Sequence, residues 1–250
     1  MATVTEEQRQ HYRTNGWLLV DDLLGIAPID LQAEVDRIAE LDDAEVLHHR
    51  ERTEYGPALA RTENFLSASP LLNVALRHGA VAEVAGELLG EPALLYKEKI
   101  NYKLVGGAGF APHQDQPAYP FVSSVLSVMI AVDDAAVENG CLEVVSGCHH
   151  ELLDQDERGC IADAVVATLD FQPAPLRAGQ TLFFHSLTPH RSFANTSNRN
   201  RRALFPTYNG ISEGELHDAY YAAKLEAFKA EAAGDRVRLS LIGDFEGIPL

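Results

Sequence analysis

The stretch FVSSVLSVMIAVDD, residues 121–134, is the longest of five strand-like runs in this 250-residue chain. It is rich in Val and Ile and ends at two aspartates, which is the pattern of a β-strand bounded by a turn. The other runs are LLYKEKINYKLV (94–105), CLEVVSG (141–147), QTLFFHS (180–186) and RRALFPTYN (201–209). Several short strands joined by loops predict a β-sandwich or barrel of the jelly-roll type.

Helices are predicted on both sides of these strands. Thr5 is placed to cap a helix that Asn15 and Gly16 would end. Residues 17–20 (WLLV) then have the pattern of a short strand, and residues 70–89 predict one or two more helices. A further helix is predicted by apolar residues at helical spacing, namely Ile29, Leu31, Val35, Ile38 and Leu41.

We therefore predict one domain over residues 1–250, mainly β with flanking helices. Its parts are a helical N-terminal region of about 1–92, a jelly-roll core of about 93–209, and a C-terminal helix and tail in 210–250. Ser212 is the predicted N-cap of that last helix, and RVRLSLIG (236–243) is strand-like.

The segment 43–64 is charged and irregular, which predicts a loop that covers a site. Because charge runs are usually solvated, its polar side chains are expected to face water. The residues concerned are His48, His49 and Glu51.

Composition excludes several classes of protein. The net charge of −17 and the isoelectric point near 4.9 argue against nucleic acid, whose phosphates require a basic surface. No apolar run approaches the length of a membrane span, and the acidic N-terminus is unlike a signal peptide. The cysteines, Cys141, Cys148 and Cys160, lack Cys-x-x-Cys spacing and predict reduced thiols. We expect a cytoplasmic protein that binds neither nucleic acid nor membrane.

Metal ligands are suggested by APHQDQPAY (111–119), in which His113 and Asp115 point the same way if the segment is extended. A His-x-Asp pair is weak evidence alone. FFHSLTPHRS (183–192) adds His190 at the end of a predicted strand, which a jelly roll can bring to the same mouth. Two imidazoles and one carboxylate on one side of a metal form the facial triad of non-haem Fe(II) oxygenases.

An anion-binding pair is predicted downstream of His190. Ser192 lies two residues after it and Arg201 eleven, beyond the turn-forming ANTSNRN. An arginine that faces a β-cavity needs an anionic partner, because burying a bare charge is costly. A dicarboxylate held by the guanidinium fork would satisfy it, with the Ser192 hydroxyl as a second donor. Arg202 is expected on the opposite face.

The combination resembles the phytanoyl-CoA dioxygenase family, which includes ectoine hydroxylase and related bacterial enzymes. The resemblance covers roughly residues 10–245 and rests on KINYK, HQD, NGCLEVVSGCH, TPHRS and RRAL in that order. It implies a double-stranded β-helix fold and the use of Fe(II) with 2-oxoglutarate. An unactivated C–H bond of a small molecule would be hydroxylated with dioxygen, and succinate and CO2 would be released.

The resemblance also implies roles for single residues. His113, Asp115 and His190 would be the iron ligands. Arg201 and Ser192 would hold the distal carboxylate of 2-oxoglutarate. The stretch SGCH departs from the Pro-Gly-Ser-His usual in the family, but it is structural and leaves the chemistry unchanged.

Other positions are candidates for the wall of the pocket. By resemblance, Asn101 matches a position near the keto-acid end of 2-oxoglutarate, and Tyr119 matches an aromatic position of the pocket. Strand alternation puts lysines on the same face as Asn101, so Lys97 or Lys103 is expected to contact 2-oxoglutarate or substrate, unless the stems carry the amines to solvent. Further candidates for substrate contact are Arg61 and Asn64.

The sequence alone leaves two other functions open. One is a cupin-like metal enzyme without 2-oxoglutarate, against which Ser192 and Arg201 argue. The other is a non-catalytic jelly-roll binding module, against which the complete ligand set argues. The carboxylate of Asp115 predicts hydroxylation, because related iron halogenases have Ala or Gly at that position. An acyl-CoA is disfavoured as substrate because the chain is acidic. The stretches YKEKINYK and PHQD resemble bacterial enzymes that act on small polar metabolites, including aminophosphonates.

Overall fold

Two antiparallel β-sheets face each other, and helices cover the outer side of the larger one. The computed structural model describes residues 4–119, 121–232 and 242–250. The helices are α1 (Glu6–Asn15), α2 (Pro28–Ala39), α3 (Pro70–His78), α4 (Ala80–Leu89), α5 (Asp163–Val166) and α6 (His217–Ala232). None of these described helices has both the length and the apolar character needed to cross a membrane.

The strands include the runs predicted from the sequence, with additions near the N-terminus, within the core and at the C-terminus. They are β1 (Trp17–Val20), β2 (Leu47–Thr53), β3 (Gly56–Glu63), β4 (Ala93–Lys97), β5 (Lys99–Lys103), β6 (Phe110–His113), β7 (Val125–Ala131), β8 (Leu142–Val144), β9 (Gln172–Ala174), β10 (Thr181–His185), β11 (His190–Ser192), β12 (Arg201–Leu204), β13 (Thr207–Gly210) and β14 (Ile248–Pro249). The larger sheet has the order β1-β10-β7-β12-β5-β3-β2-β14, with β13 pairing to β4 and β7, and the smaller has the order β6-β11-β8-β9.

Strand β7 shows how the layers are built, because all of its residues are buried. Side chains alternate between the two faces of a strand. One face packs into the core beneath the helices, through Leu126, Val128 and Ile130. Met129 and Ala131 on the other face pack between the two sheets. A strand that is covered on both faces has a continuous apolar sequence, and for this reason β7 could be predicted from the sequence.

The N-terminal prediction is confirmed. Thr5 caps α1 by accepting a hydrogen bond from the Gln8 backbone, and the Gln8 side chain accepts from the Thr5 backbone in return. Gly16 ends the helix in the left-handed region, at φ 81°. In α2 the apolar stripe is buried through Leu31, Val35 and Ile38, whereas Ile29 is 70% exposed.

The prediction of an irregular, solvated segment at 43–64 is wrong. Strands β2 and β3 form an antiparallel hairpin there, and β3 joins the larger sheet through β5. His49 and Glu51 are buried on the inner face of β2, and Arg50 between them is exposed. Alternation is present, but the inward side chains are polar and lie near other charged residues, Arg61 and Glu63 for His49 and Lys103 for Glu51, so the usual apolar signal of a strand is missing.

Two boundaries also differ from the prediction. Ser212 does not cap α6, which begins at His217; its hydroxyl instead donates to Glu91 from a 3-10 turn. The run 94–105 is divided at the buried Glu98, whose carboxylate is hydrogen-bonded to His217 Nε2 at 2.8 Å. The predicted strand RVRLSLIG lies, up to residue 241, outside the described residues.

Candidate active site

Three predicted metal ligands converge at one end of the smaller sheet. His113 ends β6 and His190 begins β11, and the two residues are direct cross-strand partners. Their ring centroids are 4.1 Å apart. One ligand atom from each of His113, Asp115 and His190 lies within 4.8 Å of the other two, and all three side chains are buried. Strand pairing therefore assembles the triad from residues that are distant in sequence.

Backbone carbonyls orient both imidazole rings. His113 Nδ1 donates to the carbonyl of Ala111 at 2.7 Å, and His190 Nδ1 donates to the carbonyl of Thr188 at 3.0 Å. A carbonyl can only accept, so each Nδ1 carries a proton, and in the neutral ring each Nε2 then presents a lone pair. Burial lowers the pKa of His190 to about 4, which keeps this ring neutral and able to bind a metal.

The carboxylate of the triad is also held by a neighbour. Ser127 Oγ, on β7, donates to Asp115 Oδ2 at 2.5 Å, which leaves Oδ1 at 3.8 Å from His113 Nε2. Burial opposes ionisation of Asp115, but the nearby His190 and Lys99 outweigh it, so the pKa of Asp115 is below its ordinary value. Two imidazoles whose Nδ1 atoms donate to carbonyls, with one charged carboxylate on the same side, fit Fe(II) and would leave its other positions for cosubstrate and dioxygen.

The inner face of the larger sheet is polar opposite the triad. In the sheet register Arg61 on β3 pairs with Asn101 on β5, and Lys103 on β5 pairs with Arg201 on β12. All four side chains are buried. Asn101 lies between two groups of cations, because Lys103 follows it by two residues and Lys99 precedes it by two on the same face.

The first group of cations contains Arg201. Its Nη2 donates to the carbonyl of Gly140 at 2.5 Å, and within the described residues its Nε has no hydrogen-bond acceptor. Lys103 Nζ donates to Ser192 Oγ at 2.7 Å, which brings the predicted serine to the same place. Gly140 is required there, because its φ is +73° and a Cβ would lie 2.2 Å from the carbonyl oxygen of Phe193.

Arg202 points away from this group, as the sequence predicts. Its guanidinium forms an ion pair with Asp133, with Nε at 2.8 Å from Oδ2, and it also contacts Asp36. Only 14% of the Arg202 side chain is exposed, so this residue is ion-paired and not solvated.

The second group of cations consists of Arg61, Lys97 and Lys99. Arg61 Nε donates to Asn101 Oδ1 at 3.0 Å, and its Nη1 is 3.5 Å from Glu63 Oε1. Lys97 Nζ lies 4.5 Å from the centroid of the Tyr119 ring, and Lys99 Nζ lies 5.4 Å from that of a phenylalanine. Across residues 4–119, 121–232 and 242–250, neither lysine makes an ion pair or hydrogen bond.

The pKa values of the two lysines reflect this lack of anions. Burial lowers the pKa of Lys97 well below its ordinary value, and the neighbouring Lys99 lowers it further. Burial and Arg61 lower the pKa of Lys99 to about 8, against the opposing effect of Asp115. Lys99 is thus close enough to Asp115 for the carboxylate of the triad to act on its charge.

The structure brings Tyr119 but not Asn64 to this region. Tyr119 is buried, and its ring packs edge-on against Tyr96 with centroids 5.6 Å apart. Asn64 follows β3 at φ 56°, and its amide donates to the carbonyl of Glu45 at 2.8 Å. Asn64 therefore stabilises the turn after the hairpin.

Sequence reasoning missed the carboxylate of Asp244. Asp244 Oδ2 lies 3.4 Å from His113 Nε2, although the residue comes from the C-terminal tail. No spacing or motif signals it, since a single aspartate after a helix has no pattern. Ser127 was missed for a different reason. It is a polar residue in an otherwise apolar strand, and such a residue is usually predicted to face solvent.

Comparison with known proteins agrees with this geometry. The sequence model of the phytanoyl-CoA dioxygenase (PhyH) family matches residues 12–203. The chain belongs to this family. It is 40% identical to a methylphosphonate hydroxylase of Gimesia maris, over 99% of this chain and 98% of that protein. It is 36% identical to a 2-aminoethylphosphonate dioxygenase from an uncultured bacterium, over 93% of this chain and 92% of that protein.

Solved structures show the same fold. The epimerase SnoN, in complex with Fe3+, alpha-ketoglutarate and nogalamycin RO, superposes with a TM-score of 0.72 at 24% identity and covers 98% of this chain and 94% of its own. EctD from S. alaskensis, with 2-oxoglutarate and 5-hydroxyectoine, has a TM-score of 0.69 at 21% identity and covers 84% of this chain and 77% of its own. The predicted double-stranded β-helix is confirmed.

The family and the triad together establish the class of reaction. The protein is an Fe(II)- and 2-oxoglutarate-dependent dioxygenase that hydroxylates a small molecule. Neither the cupin-like enzyme without 2-oxoglutarate nor the non-catalytic binding module is needed to explain the site.

Replacing Ser127 by alanine tests how the triad is held. The Ser127→Ala protein loses the donor to Asp115 Oδ2, so the carboxylate is no longer fixed, and we expect iron affinity to fall about 10- to 100-fold. Competition with a chelator measures this affinity. Ser124→Ala is the matched control, since its hydroxyl contacts His185 and not the triad. Equal iron affinity in the two variants would remove Ser127 from the site.

Proposed function

We propose that the substrate is a small organophosphonate whose phosphonate group is bound by Arg61, Lys97 and Lys99. The observation that carries this proposal is a pair of lysines beside the triad, the buried Lys97 and the half-buried Lys99, that have no counter-ion within the described part of the chain. A phosphonate offers three oxygens and up to two negative charges, which suits several converging N–H donors. Both phosphonate-oxidising relatives described above support the same substrate class.

The charge balance of the protein makes this group of cations informative. The whole chain carries a net charge of −17, so positive charge is not abundant. Glu63 is a carboxylate in contact with Arg61, and Lys224 also binds Glu63, at 2.5 Å. Glu63 is therefore shared, and Lys97 and Lys99 are left as surplus cations. Burying surplus charge is costly unless a ligand neutralises it.

We also infer that the other group of cations holds 2-oxoglutarate. Arg201 would bind the distal carboxylate through its unpartnered Nε, with Lys103 and Ser192 as further donors. Lys99 and Lys103 are four residues apart on the inner face, which corresponds to roughly 13 Å along a strand. That separation allows a five-carbon diacid at one end and a small phosphonate at the other, with Asn101 between them.

The residues of the chain bind and orient both ligands around the metal that His113, Asp115 and His190 would hold. Bound iron and 2-oxoglutarate supply the oxidation, in which dioxygen converts 2-oxoglutarate to succinate and CO2 and one oxygen atom enters a C–H bond of the substrate. Asp115 would hold the ligand position that chloride would otherwise take, which favours a hydroxylated product. Tyr119 is buried with its ring against Lys97 and would keep water from that side of the substrate.

A substrate panel tests the proposed function. Purified enzyme with Fe(II), 2-oxoglutarate and labelled dioxygen is incubated with methylphosphonate, ethylphosphonate or 2-aminoethylphosphonate. The carboxylate counterparts acetate, propionate and β-alanine are the matched controls. We expect substrate-dependent succinate and a product with one labelled oxygen from phosphonates only. Faster turnover of the carboxylates, or of proline or ectoine, would contradict the proposal.

Removal of the Arg201 guanidinium is expected to weaken the binding of 2-oxoglutarate and to leave the binding of iron unchanged. Truncating one partner of a buried charge pair costs on the order of 2–5 kcal/mol. Calorimetric titration of anaerobic, iron-loaded Arg201→Ala with 2-oxoglutarate measures this loss. Arg202→Ala is the matched control, because Arg202 binds Asp133 on the opposite face. If both variants keep the affinity of the unmodified protein, Arg201 is not the anchor.

Activity on phosphonates is expected to fall as the pH rises through about 8, the pKa of Lys99 in the free enzyme. The pKa is lowered, so Lys99 loses its proton, and its attraction for the phosphonate, at a lower pH than an ordinary lysine does. The pH profile of kcat/KM reports this group, since that ratio follows ionisations of the free enzyme. Lys99→Arg stays charged, so its profile should fall at higher pH. An unshifted profile would exclude Lys99 as the titrating group.

A further inference from the structure

The C-terminal tail contributes a wall of the active site. Ala111 on β6 donates its backbone N–H to the carbonyl of Asp244 at 2.7 Å, and Phe110 bridges to Phe245 in an antiparallel arrangement. The tail then pairs with β2 through β14. It therefore connects the edges of the two sheets at the mouth of the cavity, and this path turns the side chain of Asp244 towards the triad.

Asp244 is a buried carboxylate without a hydrogen-bond donor among the described residues. It is 4% exposed, and its Oδ1 has no partner. Its Oδ2 is 3.4 Å from His113 Nε2. That nitrogen carries no proton when Nδ1 donates to Ala111, so this contact is not a hydrogen bond in the neutral ring. When His113 binds iron, its Nε2 lone pair is committed to the metal.

A buried carboxylate in this position requires a cation or strong donors. Lys99 is near enough to act on Asp244 electrostatically, but its amine is not in contact with a carboxylate among the described residues and lies against the ring of Phe205. Lys99 also belongs to the group that we assign to the phosphonate. The chain therefore provides a cationic pole on the larger sheet and, on the tail, a buried carboxylate that among the described basic side chains contacts only His113, both beside the triad.

We propose that Asp244 binds an ammonium group of the substrate, so that the preferred substrate is a zwitterionic aminophosphonate and not a simple alkylphosphonate. This inference rests on the proposed function, because the phosphonate must be held by the opposite pole for the amine to reach Asp244. Asp244 then fixes the orientation of the carbon chain between the two poles and across the metal site. An alkylphosphonate would fill the cationic pole and leave the carboxylate of Asp244 desolvated and unpaired.

The test compares two substrates that differ only in the amine, 2-aminoethylphosphonate and ethylphosphonate, in the unmodified enzyme and in Asp244→Asn. We expect the unmodified enzyme to prefer the aminophosphonate in kcat/KM. In Asp244→Asn, kcat/KM for 2-aminoethylphosphonate should fall at least about 30-fold, the effect of truncating one partner of a buried charge pair. The value for ethylphosphonate should stay within about threefold.

Equilibrium binding provides a readout that does not depend on turnover. Calorimetry with the anaerobic enzyme loaded with iron and 2-oxoglutarate should show a weaker Kd for 2-aminoethylphosphonate in Asp244→Asn and an unchanged Kd for ethylphosphonate. Asp244→Glu keeps the charge and should restore part of the preference. Glu246→Gln, on the exposed side of the same tail, is the matched control and should bind both ligands normally.

Each contrary outcome has a distinct meaning. If Asp244→Asn lowers activity on both phosphonates equally, Asp244 has a structural role and the inference is overturned. If Asp244→Asn loses iron in a chelator competition, Asp244 is a metal ligand and the inference is again overturned. If the unmodified enzyme prefers methylphosphonate or ethylphosphonate, the amine site is refuted while the proposed function stands. If no phosphonate is a substrate, both fail.

Discussion

The pairing of β6 with β11 is the constraint on which the active site depends. It sets His113 directly opposite His190, and the hydrogen bonds from each Nδ1 to a backbone carbonyl then fix the ring orientations. A register shift of one residue would turn one imidazole to the other face of the sheet. The geometry of the metal site is thus a property of the β-sheet itself, and Ser127 supplies the corresponding restraint for Asp115.

The larger sheet separates stability from chemistry by its two faces. Ile100 and Tyr102 on the outer face of β5 pack into the core under the helices, whereas Asn101 and Lys103 between and after them face the cavity. The same division holds on β12, where Leu204 is in the outer core and Arg201 faces inward. Helix packing on the outer face can therefore stabilise strands whose inner face carries costly buried charge.

How far the sequence predicts this structure depends on what each residue faces. The core strands were predictable because apolar residues dominate both faces of β7, and the triad was predictable because its residue types are restricted by metal chemistry. The hairpin of β2 and β3 was not predictable from the sequence. Its buried residues His49 and Glu51 are polar, so the segment has the composition of a solvent-exposed loop. The position of Asp244 was not predictable either. It depends on the contact between the C-terminal tail and β6, and no sequence spacing indicates that contact.

The acidic chain and the cationic pocket have complementary effects on an anionic substrate. A net charge of −17 repels anions at long range, but salt screens this repulsion beyond about 10 Å at 0.1 M ionic strength. Inside the pocket, the buried Lys97 and the half-buried Lys99 act at short range and are screened less than exposed charges. Discrimination therefore arises from how many charges a ligand can satisfy once it is inside. A ligand that satisfies only the cationic pole leaves Asp244 buried and unpaired, so the same low dielectric that strengthens binding of the phosphonate also penalises an incomplete match.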